Sequence, residues 1–303
     1  MRYIYPDTSI WNRLCDQTAD PRAFYLALEE RDVGLTLGFN VLYEIAKQFF
    51  SGTSDGAERG RELFSYAQKY LDLHVPIVKE NWALLVEEAL DVVGDRQMSS
   101  CFRNEQDYGI TIREIDKLCR GDISPETARF FESRKSAART SRFEMKAQLE
   151  SRADLKAFLD GISEESLPHF LDAATVGPQG TFLLLGHLRR EFPKNSVSEL
   201  ANVANHLLKS PRYRASRAMT RSGLYLNWRC AKRGSIRSDL PDDTFHVVSA
   251  AYCAVFATTE ADQATIARHS IRGIQAVVCN AIEPVSDQLL RELETPAQSV
   301  ARA

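Results

Sequence analysis

Paired cysteines at metal-binding spacing are missing from this chain. Cys15, Cys101, Cys119, Cys230, Cys253 and Cys279 are scattered, with no CxxC and no cluster with histidine. That argues against a zinc site and a disulfide frame and points to reduced thiols in a cytoplasmic protein. Long apolar runs are missing as well. The best of them, Thr181-Phe182-Leu183-Leu184-Leu185, is core-sized, well short of the ~18 residues of a membrane span. The N-terminus lacks the basic, apolar and small-residue regions of a secretory signal, and no internal repeat or low-complexity tract is present. What remains is 303 residues with 44% hydrophobic and 26% charged side chains. This is the balance of a soluble globular protein with enough chain for one large domain or two ordinary ones. The net charge of -3 says little by itself.

Periodicity divides the chain. Tyr3-Ile4-Tyr5 reads as a strand that stops at Pro6-Asp7-Thr8-Ser9. A helix is expected over residues 22–31, a β-branched strand over 33–37, and a helix over 41–50 with Asn40 as its N-cap and Leu42, Ile45 and Phe49 as its apolar stripe. Another helix follows over 59–70. Leu73, Val75 and Ile77 then alternate across a strand that Pro76 confines to an edge, before an amphipathic helix over 81–93. This β-α order predicts a parallel sheet with crossover helices. From about Asp95 to Gly223 the periods are helical throughout. Ser124-Pro125-Glu126 opens a long charge-rich helix, and Ser196 with Glu199 forms a capping box. Strands return at 255–259 and 274–279, after a helix opened by Pro241-Asp242-Asp243. The expected fold is therefore α/β, a parallel sheet flanked by helices and interrupted by a helical insertion.

Acids fall where one edge of such a sheet would gather them. Asp7 ends the first strand, Glu44 lies one turn into the helix after the second, Asp243 begins its helix, and Glu260 and Asp262 follow the strand ending in Thr258. Strand ends and the starts of following helices share one edge, and carboxylates crowded there repel unless a cation joins them. An oxygen-only donor set indicates Mg²⁺ or Mn²⁺ rather than zinc.

These segments resemble the PIN-like nuclease family. Its Asp-tipped first strand corresponds to Tyr5-Pro6-Asp7-Thr8-Ser9, its Leu-x-Glu helix to Leu42-Tyr43-Glu44, and its third acid to Asp243 in Leu240-Pro241-Asp242-Asp243-Thr244-Phe245-His246. Its fourth acid follows a strand ending in threonine, as in Thr258-Thr259-Glu260-Ala261-Asp262. The family has Asp where this chain has Glu260, so either Glu260 or Asp262 takes the fourth place. The resemblance covers residues 1–94 and about 235–290. It implies a discontinuous PIN-like domain over 1–94 and 235–303, with 95–234 as a helical insertion. It further implies a metal-dependent ribonuclease in which Asp7, Glu44, Asp243 and Glu260 or Asp262 hold Mg²⁺ or Mn²⁺, which activates the attacking water. Thr8, Ser9 and Thr258 are candidates to orient those carboxylates. His246, beside Val247 and Val248, reads as a packed histidine rather than a ligand.

Between Lys209 and Arg237 lies a stretch without a single acid. Its cations are Lys209, Arg212, Arg214, Arg217, Arg221, Arg229, Lys232, Arg233 and Arg237, interleaved with Tyr213, Tyr225 and Trp228. Cations for phosphates and aromatic faces for bases suit single-stranded RNA, with DNA as the alternative. A solvated helix face with internal ion pairs is the competing reading. Arg134, Lys135, Arg139, Arg142 and Lys146 form a weaker basic set, diluted by Glu132 and Glu144. Family resemblance also admits an inhibitory protein partner or a homo-oligomer. Two other functions compete with the nuclease: a non-catalytic nucleic-acid-binding or regulatory module on the same fold, and a haloacid-dehalogenase-type phosphatase. The phosphatase needs a second Asp where this chain has Ser9, so it ranks last.

Overall fold

Alternation along the first strand sets the architecture: Ile4 is buried in one apolar cluster, Tyr5 in another, and Tyr3 packs against the latter. Successive side chains of a strand point to opposite faces, so a strand buried on both sides needs helices on both sides. The computed structural model describes residues 1–50, 53–94, 97–98, 100–122, 124–126, 128–129, 152–233 and 240–294, the last range without the side chains of 240–243. Arg237, the basic set at 134–146 and the tail beyond Glu294 lie outside the described residues.

The chain opens with β1 (Arg2–Pro6), α1 (Thr8–Asp16) and α2 (Pro21–Glu29). β2 (Val33–Leu35) and β3 (Leu37–Gly38) lead into α3 (Phe39–Lys47) and α4 (Ser54–Leu71). Next come β4 (Ile77–Val78), α5 (Asn81–Val93) and α6 (Glu105–Cys119). The helical stretch continues as α7 (Ala153–Gly161), α8 (Leu167–Val176), α9 (Pro178–Glu191), α10 (Val197–Lys209) and α11 (Arg214–Arg233). The end is α12 (Leu240–Ser249), β5 (Val255–Thr258), α13 (Ala261–Ser270), β6 (Gln275–Val278) and α14 (Val285–Glu294).

Among the described residues every pair of these strands is parallel, and an isolated antiparallel bridge joins Val78 to Phe102. A four-stranded sheet runs β2-β1-β5-β6, and β3 pairs with β4 beside it. Thr36 hands the strand from one partner to the next. Its N–H donates to the Ile4 carbonyl at 3.1 Å, whereas the N–H of Leu37 donates to the Pro76 carbonyl at 3.0 Å. Pro76 thus sits at the sheet margin, as its missing N–H requires. Gly38 has a steric reason to be glycine: a Cβ there would collide with the Tyr5 hydroxyl.

One face of the sheet is covered by α1, α2, α3, α4, α6 and α14, around Ile10, Trp11, Leu14, Phe64 and Tyr70. The other is covered by α5 and by α8 to α13, around Leu84, Leu171, Leu207, Trp228, Val248 and Phe256. The described residues of the segment expected as an insertion are largely helical; buried residues of α8 to α11 share one core with Tyr5 and Phe256 of the sheet, whereas Ile115 and Leu118 of α6 join the other. Helix α11 packs against α5, α7, α8, α9, α10, α12 and α13. Its N-terminal N–H groups are met from another helix: the Glu88 carboxylate accepts from Ala215 N and Ser216 N, both at 2.8 Å. No helix among the described residues is long and apolar enough to cross a membrane.

Candidate active site at the carboxyl edge of β1 and β5

The chain leaves β1 toward β2 on one side, and β5 lies on the other. A crevice forms at such a reversal, outside the carboxyl ends of the strands, where ligands of open α/β sheets bind. Asp7 ends β1 there and starts α1 as its N-cap. Its Oδ1 accepts from Ile10 N at 3.1 Å and from Ser9 Oγ at 2.6 Å; its Oδ2 accepts from Thr258 Oγ1 at 2.6 Å. Only 1% of Asp7 is exposed. Burial pushes its carboxyl above the ordinary range, against the pull of His246 and of the bonds from Ser9, Thr258 and Ile10.

Glu44 projects from α3 toward the same edge. Thr8 Oγ1 donates to its Oε2, and His246 Nε2 lies 3.2 Å from its Oε1. Burial alone would raise this carboxyl, but the charge and hydrogen bond of His246, with the Thr8 bond, outweigh it and hold the pKa at about 2. Behind His246, the Tyr5 hydroxyl lies 3.2 Å from Nδ1. Burial keeps that phenol protonated; facing the charged imidazole its oxygen accepts from Nδ1–H, while Nε2–H faces Glu44.

Ser9 and Thr258 tie the two strand ends together. Thr259 N donates to Ser9 Oγ at 3.0 Å, and Glu260 N donates to Thr258 Oγ1 at 3.0 Å. Gln263 Oε1 stands 3.2 Å from the same Thr258 hydroxyl. Asn40 lies inside the first turn of α3, and the N-cap is Gly38. The Asn40 amide instead reaches α12, donating to the Phe245 carbonyl at 3.0 Å and to Ser249 Oγ at 2.9 Å. This crosslink ties the helix carrying Glu44 to the helix carrying His246.

The structure thus brings Asp7, Thr8, Ser9, Glu44 and Thr258 together. Glu260 occupies the N-cap position of α13 directly after β5. The Asp262 Oδ2 lies 2.6 Å from Arg229 Nη2 on α11. The Asp243 side chain lies outside the described residues, though its backbone is in the first turn of α12, three residues ahead of His246. Among the described residues no group of three or more His, Cys, Asp or Glu is arranged to hold a metal ion.

Helix α11 is largely interior, yet of the described cations in this stretch only Arg221 and Arg229 are buried, whereas Lys209, Arg212, Arg214, Lys232 and Arg233 are exposed. Tyr213, Tyr225 and Trp228 are buried in the helical layer and cannot offer faces to bases. Arg221 is buried against Asp172 and the His269 carbonyl, and Arg229 against Asp262. Arg217 donates to the Leu208 carbonyl. Arg212 pairs with Asp91 at 3.2 Å, and Arg214 stands over the Tyr252 ring. Lys232, bonded to the Asp160 carbonyl, and Arg233 are exposed at the end of α11, just ahead of α12. The internal ion-pair reading of this segment therefore describes its middle.

From the sequence, His246 reads as a packed residue. It is buried, and it is also the partner of Glu44. Its signal was its place one turn after Asp243. Gln263 had no sequence signal. No family model, curated protein or solved structure matches the chain.

Proposed function

We propose that this protein is a divalent-metal-dependent nuclease acting on RNA, with a PIN-like arrangement of its catalytic edge. The observation that supports this best is the convergence of Asp7 and Glu44, linked through Thr8, at the carboxyl edge where β1 and β5 meet. Asp7 is a buried carboxylate whose charge is penalised by its surroundings, and a bound cation is the partner that offsets such a penalty. The donors are oxygens, which suits Mg²⁺ or Mn²⁺. Asp7 and Glu44 would hold the ion, with Asp243 and Glu260 completing the set. Asp262 is the weaker fourth ligand because Arg229 already engages it.

When bound, the ion supplies an activated water at neutral pH and positive charge for the departing oxygen. The chain's own groups do the positioning. Ser9 and Thr258 fix the two oxygens of Asp7, while Thr8 and His246 fix those of Glu44. Lys232 and Arg233, with Arg237 beyond them, would meet the phosphates of an incoming strand.

A second reading, a module that keeps the fold without the chemistry, draws on the internal pairing of Glu44 with His246 and of Asp262 with Arg229. One experiment separates the two. Labelled single-stranded RNA, structured RNA and DNA are incubated with purified protein in Mg²⁺, Mn²⁺ or chelator, using wild type, Asp7→Asn and Asp243→Asn. The nuclease reading expects metal-dependent cleavage of RNA that falls by about 100-fold or more in both variants. Salt-sensitive binding without cleavage, insensitive to Asp7→Asn, would establish the second reading instead.

A further inference from the structure

Helix α3 has a second working face. Turned away from Glu44, its residues Phe39, Leu42, Tyr43 and Ala46 line a cavity of about 410 Å³ closed by Phe64 of α4 and by Ile110, Ile115 and Leu118 of α6. That volume is in the range of small-molecule sites, and the lining is mostly apolar. A site of this kind takes its specificity from the few polar groups in its wall.

Arg103 is the group that stands out. It lines the cavity, its guanidinium lies 4.3 Å from the centre of the Phe39 ring, and its Nη1 donates to Thr111 Oγ1 at 3.2 Å. Its Nε is buried with no hydrogen-bond acceptor. Glu80 and Asp107 act on it only through space, and burial outweighs them in lowering its pKa. Of the remaining donors of the guanidinium, only Nη1 is engaged among the described residues, by Thr111, so the group can still pair with a ligand carboxylate. The acids on the wall are already engaged: Glu114 pairs with Lys117 at 2.7 Å and Glu126 with Arg129 at 3.3 Å. Arg103 is therefore the charge available to a guest.

We infer that this cavity binds a small amphipathic carboxylate, its apolar body among Leu42, Phe64, Ile110 and Leu118 and its carboxylate on Arg103. The inference stands on the cavity and on Arg103 and is independent of any chemistry at Asp7.

Isothermal titration of the full chain with decanoate and with decanol, both below their micellar or solubility limits, tests it. The two probes share a chain and differ in the charged head. Wild type is expected to bind decanoate at least about tenfold more tightly than decanol. Arg103→Met is expected to bring decanoate down to the affinity of decanol while leaving decanol unchanged, which also shows that the variant is folded. Ile110→Trp adds bulk at a residue 40% exposed, so the fold tolerates it, and is expected to abolish binding of both. Equal binding of the two probes to wild type, undiminished decanoate binding in either variant, or no saturable binding at all would overturn the inference.

Discussion

Asp7 combines burial with a charge that its surroundings disfavour, and this makes a stability prediction separate from activity. Its folded pKa lies above the ordinary value, so ionised Asp7 costs stability at neutral pH, and the cost is relieved as pH falls. Asn preserves an acceptor for Ser9 and Ile10 and removes the charge. Thr258 can turn its hydroxyl toward Gln263 and accept from the new amide. Asp7→Asn is therefore expected to stabilise the metal-free protein by about 1 kcal/mol at pH 7, the usual sign for a site that trades stability for function. Urea unfolding with chelator present measures it, and a destabilised variant would show that the charge is already compensated within the fold.

Glu44 carries the opposite sign. Its folded pKa is depressed from 4.5 to about 2, so its contribution is complete above pH 4.5 and is lost as pH falls toward 2. The stability difference between wild type and Glu44→Gln should be on the order of 3 kcal/mol near pH 6 and should shrink steadily below pH 4.5. A difference constant down to pH 3 would mean that His246 and Thr8 do not favour the carboxylate.

At the scale of elements, α11 and its cap make the clearest case. Glu88 on α5 does for α11 what an N-cap side chain usually does: both oxygens accept from N–H groups of the first turn, and Ser216 Oγ and Tyr252 Oη donate to it as well. Glu88→Ala strands these donors in the core and is expected to cost about 3 kcal/mol, with Glu88→Gln costing roughly half because one of its two terminal atoms still accepts. Chemical denaturation gives the values, and amide exchange at Ala215 and Ser216 should accelerate. Unchanged exchange there would remove Glu88 from the capping role.

The elements also show what the sequence made legible. Strand and helix periods marked β1, the strand at 33–37 that the fold divides into β2 and β3, α5, β5 and β6, because each buries a regular face. Helix α1 escaped notice, since Asp7-Thr8-Ser9 resembles a turn until Ile10, Trp11 and Leu14 are seen to share one buried face. Helix α11 reads as cationic from its sequence, and Arg214, Lys232 and Arg233 are exposed; what the sequence does not show is the burial of Arg221 and Arg229. Its arginines are spaced so that Asp172 and Asp262, distant in sequence, can meet them inside. Glu88 was invisible for the same reason: its partners lie more than a hundred residues away. At the site, Asp7, Glu44, Thr8, Ser9 and Thr258 were legible as strand-end and helix-start residues, whereas the crosslink of Asn40 to α12 required the tertiary fold.

For the whole molecule, the arrangement is a parallel sheet between two helical layers, with α3 between the two proposed sites. One side of α3 presents Glu44 to the carboxyl edge beside Asp7, and the other lines the cavity held by Arg103. The segment between α6 and α12 supplies a face of the core, so its removal should unfold the sheet rather than release a trimmed domain. Everything proposed about chemistry rests on the Asp7–Glu44 edge accepting a divalent cation. The most direct measurement is a Mn²⁺ titration followed by electron paramagnetic resonance on wild type, Asp7→Asn and Glu44→Gln. The account predicts saturable Mn²⁺ binding by wild type, displaced by Mg²⁺ and weakened at least about tenfold in both variants. Binding unchanged by either substitution, or no saturable binding, would contradict it.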